Sequence, residues 1–395
     1  MHFILYHQTQ ITKRFWPLTR TRSVSDLRIG IDSISDKWRR YLQCNVEQYC
    51  DDDLKLVYHC SIESDNVIVA GHVLPTKELC AQIAKLSLNT SLTFHGKQLA
   101  WRLDSENAVR LFESGQCSGI GEQAFQDCVV LEGPWNLFQW NEKILCEDFN
   151  DLVMETNAPS NSNRILGKTI YVAPTAKVEC SILNAEAGPI YIDDHAEIME
   201  GSMIRGPFYL GKNAQLKMGA KVYGATSIGP GCKVGGEVSN SIFQANSNKA
   251  HDGFVGNSLI GEWCNLGADS NTSNLKNNYD EVKVWSYLEN RFIKTGTIFC
   301  GLTMGDHAKC GINTMFNTGT VVGVGANVFG DGFPRQFIPD FAWGGAAGFS
   351  TFLFEKFVQT ARTVMSRRKQ ELSDQAVDLL KQIYHSTKQF RSWEE

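Results

Sequence analysis

A short polar segment in the second half of the sequence contains the residue types best suited to chemistry. Residues 246–252 read Asn-Ser-Asn-Lys-Ala-His-Asp, and they interrupt an otherwise regular apolar repeat. An unperturbed imidazole has a pKa of about 6.5, so a histidine can take up a proton at neutral pH. Breaks in a rigid repeat are common positions for functional residues. His251 is therefore the first candidate for a catalytic group.

The interrupted repeat consists of one apolar residue every six positions. Its longest unbroken run is Ile192, Ile198, Ile204, Leu210, Leu216, Val222, Ile228 and Val234. The spacing resumes at Phe254 and again from Ile298 to Val328. A period of six is neither helical nor a simple strand alternation. It fits a β-solenoid in which each hexad forms one short strand and three hexads close a triangular coil, which predicts roughly six coils.

A longer string of spaced residues surrounds His251. It consists of Lys249-Ala250-His251, Phe254-Val255-Gly256-Asn257, Ile260-Gly261-Glu262, Asn265-Leu266-Gly267-Ala268 and Asn278-Tyr279-Asp280. This string resembles the acetyltransferase half of the bacterial bifunctional GlmU enzymes, whose pattern is approximately K-A-G-H-x-x-Y-x-G-D-x-x-I-G-x-x-x-N-I-G-A-G followed by N-Y-D. The chain departs from the pattern in two places, because Phe254 replaces the tyrosine and no glycine precedes His251.

The resemblance implies a left-handed parallel β-helix that transfers an acetyl group from acetyl-CoA to glucosamine 1-phosphate. It also implies individual roles: His251 as general base, Asn265, Asn278 and Tyr279 as sugar ligands, the backbone N–H of Ala268 facing the oxyanion, and Lys221 or Arg205 neutralising the sugar phosphate. Two alternatives stay open. His251 is a loop histidine bonded to a neighbouring carboxylate such as Asp252, or Asn265 belongs to a ladder of stacked asparagines within the solenoid.

The first 155 residues follow a different pattern. Short apolar runs at 2–6 and 66–70 alternate with amphipathic stretches, and the clearest helices are predicted over 26–42 and 76–86, the second with Thr76 as N-cap. This alternation predicts an α/β, Rossmann-like domain. The strand that ends in Gly71-His72-Val73 places a site at the carboxyl edge of a parallel sheet.

The segment between the first strand and the first helix reads Thr12-Lys-Arg-Phe-Trp-Pro-Leu-Thr19. It resembles G-T-R-L-x-P-L-T, the loop signature of sugar-1-phosphate nucleotidyltransferases, and implies that Arg14, Thr19 and Arg22 bind a nucleoside triphosphate. The glycines of the family loop are missing. The family's Gly-Asp pair, whose carboxylate binds Mg²⁺, appears here as Gly71-His72, so Mg²⁺ stays open as a cofactor without an identified ligand. In the simpler alternative, the arginines form a solvated cluster.

The predicted domain order has four parts. These are a nucleotidyltransferase-like α/β domain over 1–155, a linker over 156–169, a β-helix over 170–332 with an insertion at 271–297, and a cap with two helices over 333–395. The helices are predicted over 351–370 and 373–387. In the resembling family the insertion reaches over a neighbouring subunit and the enzymes are trimers, so we expect a homotrimer.

Bulk composition excludes several other classes of protein. With 395 residues the chain is too long for one ordinary core. The net charge of −5, without a basic face, gives no reason to propose nucleic acid. No apolar run reaches the ~18 residues of a membrane span, and no signal peptide is recognisable. The twelve cysteines are scattered without a C-x-x-C pair, as in a reduced, cytoplasmic protein.

Together these observations predict a sugar-phosphate transferase of UDP-N-acetylglucosamine synthesis, a precursor pathway of cell walls. The β-helix would use acetyl-CoA, and the divergent first domain would use UTP and a sugar 1-phosphate. One alternative is a glucose-1-phosphate thymidylyl- or uridylyltransferase whose β-helix only assembles the oligomer. Another is a non-catalytic scaffold that binds sugar nucleotides. The sequence does not name the sugar or the nucleotide.

Overall fold

A computed structural model of the chain describes residues 1–51, 53–153, 155 and 159–394. Its contacts divide into two compact units. The first comprises residues 1–15, 21–27 and 32–133, and the second comprises residues 16–20, 28–31 and 134–395. The sequence predicts one domain over 1–155, whereas residues 134–153 and two short segments make their contacts in the second unit. Residues 156–158 of the predicted linker lie outside the described residues.

The first unit contains a six-stranded sheet in the order β2-β1-β3-β5-β4-β6. Its strands are β1 His2–His7, β2 Glu47–Cys50, β3 Asn66–Ala70, β4 Thr90–Phe94, β5 Lys97–Leu103 and β6 Gly121–Ala124. Its α-helices are α1 Thr9–Arg14, α2 Ile34–Leu42, α3 Lys77–Ala84 and α4 Ser105–Ser114, with 3-10 turns at Val24–Asp26 and Asp53–Leu56. Strand β1 pairs in parallel with β2 and β3, and β5 runs antiparallel to β3. The predicted α/β class is confirmed.

The helix starts in this unit follow from local capping. The side chain of Thr76 accepts a hydrogen bond from the Leu79 N–H at 3.1 Å, as predicted for an N-cap. The helix predicted over 26–42 begins only at Ile34, because Ser33 accepts from the Asp36 N–H and so caps that position. Residues 12–14 of the segment 12–19, which resembles a phosphate-binding loop, lie in helix α1 instead.

The second unit begins with helix α5, Trp135–Leu152, and continues as three sheets that form the faces of a prism and are parallel except for the last strand of the third. The first face contains β7 Arg164–Leu166, β10 Ile182–Asn184, β13 Met203–Arg205, β16 Lys221–Tyr223, β19 Glu237–Ser239 and β22 Phe254–Gly256. The second contains β8 Ile170–Val172, β11 Ile190–Ile192, β14 Phe208–Leu210, β17 Thr226–Ile228, β20 Ile242–Phe243, β23 Leu259–Ile260, β28 Thr303–Met304, β31 Val321–Val322 and β33 Phe337–Ile338. The third contains β9 Lys177–Val178, β12 Glu197–Ile198, β15 Gln215–Leu216, β18 Lys233–Val234, β21 Asn248–Lys249, β24 Asn265–Leu266, β29 Lys309–Cys310, β32 Asn327–Val328, β34 Ala342–Gly345 and β35 Gly348–Thr351.

Successive strands of the chain visit the three faces in turn, which is the arrangement of a left-handed parallel β-helix with hexad repeats, and the predicted fold class is confirmed. The inward apolar residues form one continuous buried cluster from Ile170 to Ala342. The β-helix begins with strand β7 at Arg164, before its predicted start at residue 170. The second face has nine strands, so the estimate of roughly six coils is too low.

The extra coils escaped the hexad count because their lengths vary. Leu216 pairs with Val234, a spacing of 18 residues, but Val234 pairs with Lys249, a spacing of 15. The register slips accordingly, and the fully buried residue in β22 is Val255, not the predicted Phe254. Ile298 is 40% exposed and is likewise not part of the core. A parallel ladder requires only one inward residue per strand, so it tolerates coils of unequal length.

The predicted insertion starts later than expected. Strand β25, Asn271–Thr272, still belongs to a coil and pairs with β30, Met315–Phe316. The insertion then forms an antiparallel hairpin of β26, Lys283–Ser286, and β27, Arg291–Lys294. Trp285 of this hairpin stacks on Phe337 of the same chain, with ring centroids 4.4 Å apart. At least this part of the insertion therefore packs on the cap of its own β-helix.

The C-terminal segment closes the second unit. Its helices are α6 Phe354–Ser366 and α7 Asp374–Ser386, followed by 3-10 turns at Lys388–Phe390 and Ser392–Glu394. The side chain of Ser373 accepts from the Ala376 N–H and caps α7, as predicted. Among the helices of the described residues, none combines the length and the apolar character needed to cross a bilayer.

Candidate functional site

The candidate base lies at the edge between the third and first faces of the β-helix. His251 is exposed and follows β21, and the backbone beside it is stacked on the next coil, because the Asp269 N–H donates to the Asp252 carbonyl at 3.0 Å. His251 and Ala268 therefore occupy equivalent corners of adjacent coils, about 4.8 Å apart along the prism. The structure brings together these two predicted site residues.

The Ala268 corner has the features expected of an oxyanion donor. The neighbouring Gly267 N–H donates to Cys310, and the Ala268 carbonyl accepts from Asn313 at 2.8 Å. Within the part of the chain that the structure describes, the Ala268 N–H itself has no hydrogen-bond acceptor. Ala268 is half-buried, and a backbone N–H without an acceptor on a rigid corner is a suitable donor to a developing negative charge.

The hydrogen bond between His251 and Asp252, which the sequence left open as an alternative, does not occur among the described contacts. Asn265, in contrast, takes the structural alternative: its side-chain oxygen accepts a hydrogen bond from the Asn248 amide at 2.8 Å, across neighbouring strands of the third face. This is the asparagine ladder that the sequence left open. Asn265 lies one coil away from the candidate base, but its side-chain oxygen is already used.

The Asn278-Tyr279-Asp280 turn is exposed and internally bonded. The Asp280 N–H donates to the Asn278 side-chain oxygen at 3.2 Å, and the Asn278 amide donates to the Asp280 carboxylate. Tyr279 has a φ of +57° and is 66% exposed. The structure places this turn on the insertion, after β25, without a described contact to His251.

Lys221 shares a register column with the strand that follows His251. It pairs with Glu237, and Glu237 pairs with Phe254, so Lys221 lies two strands from Phe254, about 10 Å away. Lys221 and Arg205 both line a shallow cavity of about 310 Å³ on the first face. Its other walls are largely apolar, including Ile182 and Met203.

A second cavity lies in the first unit, at the carboxyl ends of parallel strands β1 and β3, where the sequence predicts a site. Its volume is about 320 Å³. Arg14 lines it, together with Tyr6, Gln8, Ile11, Ala70, His72, Lys97, Gln98, Trp101, Gly115, Val130, Leu131 and Glu132. Two cations and two aromatic rings give this cavity the composition of a site for a phosphorylated ring compound. The sequence alone did not single out Lys97 or Trp101, because residues far apart along the chain carry no shared motif.

Thr19 and Arg22, the other predicted nucleotide ligands, do not line this cavity. Thr19 is fully buried and lies in the segment 16–20 that packs within the second unit. In that segment the Arg20 guanidinium covers the ring of Trp16 at 3.1 Å and lies 3.9 Å from the carboxylate of Asp340. The loop resembling a nucleotidyltransferase signature is therefore divided, with Arg14 at the cavity and residues 16–20 used for packing.

The residues of the cavity do not fit a Mg²⁺ ion, which the nucleotidyltransferase resemblance implies. His72 stands where the family has its carboxylate, and the one carboxylate in the lining, Glu132, is paired with Lys97. Among the described residues, no three His, Cys, Asp or Glu side chains converge on a common point. Mg²⁺ prefers oxygen ligands, so we derive no step through a metal.

Two histidines stand at the ends of the parallel strands: His7 is buried, and His72 is half-buried in the wall of the cavity. Burial lowers the pKa of His72 to about 3, helped by the charges of His7, Arg14 and Lys97. Burial also lowers the pKa of His7 to about 4 against the opposing charge of Asp26. The Ser25 hydroxyl donates to Gln48 at 2.8 Å and so accepts from His7 Nε2, which leaves His7 Nδ1 unprotonated and without a partner among the described residues.

These histidines predict a pH dependence of stability. The unfolded chain binds their protons at about pH 6.5 and the folded chain only near pH 3–4, so the free energy of unfolding is undiminished above pH 6.5 and falls as the pH drops. By pH 4 the loss is about 3 kcal/mol for each histidine. Urea unfolding at pH values from 7 to 4 measures this loss in the free energy of unfolding, and hydrogen exchange of strand β3 measures it locally. The double variant His7→Gln, His72→Gln should show a flatter curve; an equal slope contradicts the assignment.

Comparison with known proteins follows the division of the chain. Residues 3–156 match a family model described as sugar nucleotidyl transferase. A bifunctional sugar-1-phosphate nucleotidylyltransferase/acetyltransferase from Sulfurisphaera tokodaii is 27% identical over 278 residues, which is 70% of this chain and 60% of that protein. The bifunctional protein GlmU from Methanococcus aeolicus is 34% identical over 95 residues, 23% of this chain and 22% of its own. The chain therefore spans less than two thirds of the length of both relatives.

Among solved structures, the polysialic-acid-specific acetyltransferase NeuO matches 49% of this chain and 87% of its own at 11% identity, with a TM-score of 0.28. This chain is thus similar to sugar nucleotidyl transferases over residues 3–156 and continues as a hexad-repeat β-helix. The resemblance to GlmU-like bifunctional proteins that the sequence predicts is confirmed as a similarity to these relatives.

Proposed function

We propose that the chain is a transferase whose β-helix moves an acetyl group from acetyl-CoA to the amino group of a hexosamine 1-phosphate, with glucosamine 1-phosphate as the expected substrate. The observation that carries the proposal is the exposed imidazole of His251 one coil from the N–H of Ala268, which has no hydrogen-bond acceptor among the described residues. A base and an oxyanion donor on adjacent rigid corners are the two groups that acyl transfer requires.

In the proposed reaction, the substrate amine attacks the thioester carbonyl while His251 removes a proton from the nitrogen. The Ala268 N–H donates to the oxygen as it gains negative charge. The carbon–sulfur bond then breaks and CoA leaves as the thiol, taking up the proton, so the products are CoA and the N-acetylated sugar phosphate. Lys221 lies on the first face about 10 Å from Phe254 and supplies a positive charge for the sugar phosphate.

Formation of CoA from acetyl-CoA with glucosamine 1-phosphate tests the proposal. Mass spectrometry should follow the products, because Cys44 and Cys180 are exposed free thiols that interfere with thiol reagents. N-acetylglucosamine 1-phosphate, which has no free amine, is the control acceptor and should give no CoA. Absence of product with every hexosamine 1-phosphate would overturn the proposal. Assembly as a homotrimer, with a place in UDP-N-acetylglucosamine synthesis, belongs to the same proposal.

A second activity is supported by the family match of residues 3–156 and by Arg14 in the cavity of the first unit. The cavity would bind a nucleotide or a sugar phosphate through Arg14 and its aromatic walls. Pyrophosphate release from UTP with a sugar 1-phosphate would indicate nucleotidyl transfer. Binding of a UDP-sugar without turnover would instead select a binding role for this unit.

A further inference from the structure

One lysine occupies a place in the β-helix that is otherwise apolar. Lys249 pairs with Val234 at the inward position of the third face, and its side chain is 1% exposed. In the same column, Leu216 lies two coils before Lys249 and Leu266 lies one coil after it. A lysine is almost never fully buried unless its charged group is compensated. This one therefore needs a local reason.

That reason is a shortened coil. Val234 pairs with Lys249, and Glu237 pairs with Phe254. The corner after Val234, called the lower corner, is therefore in register at both ends with the corner after Lys249, called the upper corner. The lower corner contains two residues between these ends, at 235–236, and the upper corner contains four, at 250–253. The two extra residues of the upper corner have no counterpart in the lower corner to bond with.

The ammonium group of Lys249 fills this deficit. It donates to the carbonyl of Gly235 at 3.3 Å, to that of Asp252 at 3.0 Å, and to that of His251. An ammonium group has three donors, and here they meet three backbone acceptors from both corners. Burial lowers the pKa of Lys249 to about 8, against the opposing charges of Asp252, Cys310 and Asp269, so the protonated form predominates at neutral pH.

The lower corner packs closely against the backbone of residues 251–253. Gly236 has a φ of +72°, and a methyl group on it would lie 2.7 Å from the carbonyl oxygen of Gly253 and 2.9 Å from that of His251. Backbone oxygens at such distances cannot move aside cheaply, so this position requires glycine. His251 is thus held from inside by Lys249 and from below by Gly236, while its imidazole points to the exposed side.

We infer that Lys249 is a positioning residue for acetyl transfer: it holds the backbone of His251 above the shortened corner at 235–236 and so aims the imidazole at the acceptor amine. The inference rests on the proposed function. It assigns Lys249 no contact with substrate. A base displaced by about 1 Å from its productive position loses roughly 100-fold in rate, which sets the size of the expected effect.

The test replaces Lys249 by methionine, which keeps the length of the side chain and removes the three donors. We expect kcat to fall about 100-fold with KM for both substrates within about twofold, because binding groups elsewhere are unchanged. In the same sample, hydrogen exchange of the full chain should accelerate at residues 251–254. Leu216→Ala is the matched control, since it removes core contacts in the same column two coils away and should leave kcat and the exchange of 251–254 unchanged.

Gly236→Ala displaces the backbone of residues 251–253 from the opposite side. It should reproduce both the fall in kcat and the faster exchange at 251–254, so it decides the outcome if Lys249→Met does not fold. Wild-type kcat in a folded Lys249→Met protein overturns the inference. If the wild type itself transfers no acetyl group, the proposed function fails, and exchange alone decides the rest: faster exchange at 251–254 supports the role of Lys249, and unchanged exchange refutes it.

Discussion

Replacing His251 by alanine should lower kcat for acetyl transfer by about 10²–10⁴-fold, with little change in KM. Imidazole is the side-chain group that most often serves as a general base, and that of His251 is exposed where an acceptor can reach it. Removing it leaves the oxyanion donor and substrate binding in place, so the loss should appear in the chemical step.

His195 offers a matched control for this experiment. It is also an exposed histidine at a β-helix corner, with a φ of +57°, but no predicted site residue lies beside it. His195→Ala should keep wild-type kcat and confirm that a corner histidine is dispensable elsewhere. Equal rates for His251→Ala and wild type would remove His251 from the mechanism, and a second base would then have to be sought.

Replacing Asp340 by alanine should have the largest effect on stability, about 3–5 kcal/mol in the free energy of unfolding of the second unit. The carboxylate is fully buried. It accepts from the Val324 N–H at 2.7 Å and from the Tyr287 hydroxyl at 3.4 Å, and it faces Arg20 at 3.9 Å. Its removal takes the carboxylate away from a buried guanidinium and leaves the Val324 N–H without its acceptor.

Urea unfolding of the full chain measures this loss, and two variants separate its causes. Asp340→Asn keeps an oxygen for the Val324 N–H but loses the charge and the oxygen that accepts from the Tyr287 hydroxyl, so it should still cost less than Asp340→Ala. Asp331→Ala removes an exposed carboxylate nearby and should change stability by less than about 0.5 kcal/mol. A destabilisation by Asp340→Ala below about 1 kcal/mol would show that burial in this cluster contributes little.

Several site residues illustrate how far spacing predicts geometry. His251 and Ala268 come together because both lie in a repeat, and a repeat converts a separation along the chain into a stack of corners. Arg14 reaches the cavity for a similar reason, since parallel strands end at a common edge. Thr19 and Arg22 did not follow, because an eight-residue resemblance does not reveal that residues 16–20 pack within the other unit.

Lys249 is a residue whose location the spacing did not predict. Its place in the string Lys249-Ala250-His251 marked it as part of a resemblance, and nothing in a lysine suggests the inside of a hydrophobic prism. The signal was present as a break in the six-residue spacing, but a break does not say which coil is short. Only the pairing of Val234 with Lys249 and of Glu237 with Phe254 locates the two missing residues.

By itself the sequence determined the class of fold, the order of its two parts and the position of His251 at an interruption of the repeat. These features depend on periodicity and local capping, which neighbouring residues decide. The tertiary structure alone decided the number and register of the coils, the burial of Lys249, the division of the loop at 12–19 and the return of the 283–294 hairpin onto its own cap. Each of these features depends on contacts between residues that are distant along the chain. Such contacts decide whether a residue is used for packing or remains available for function.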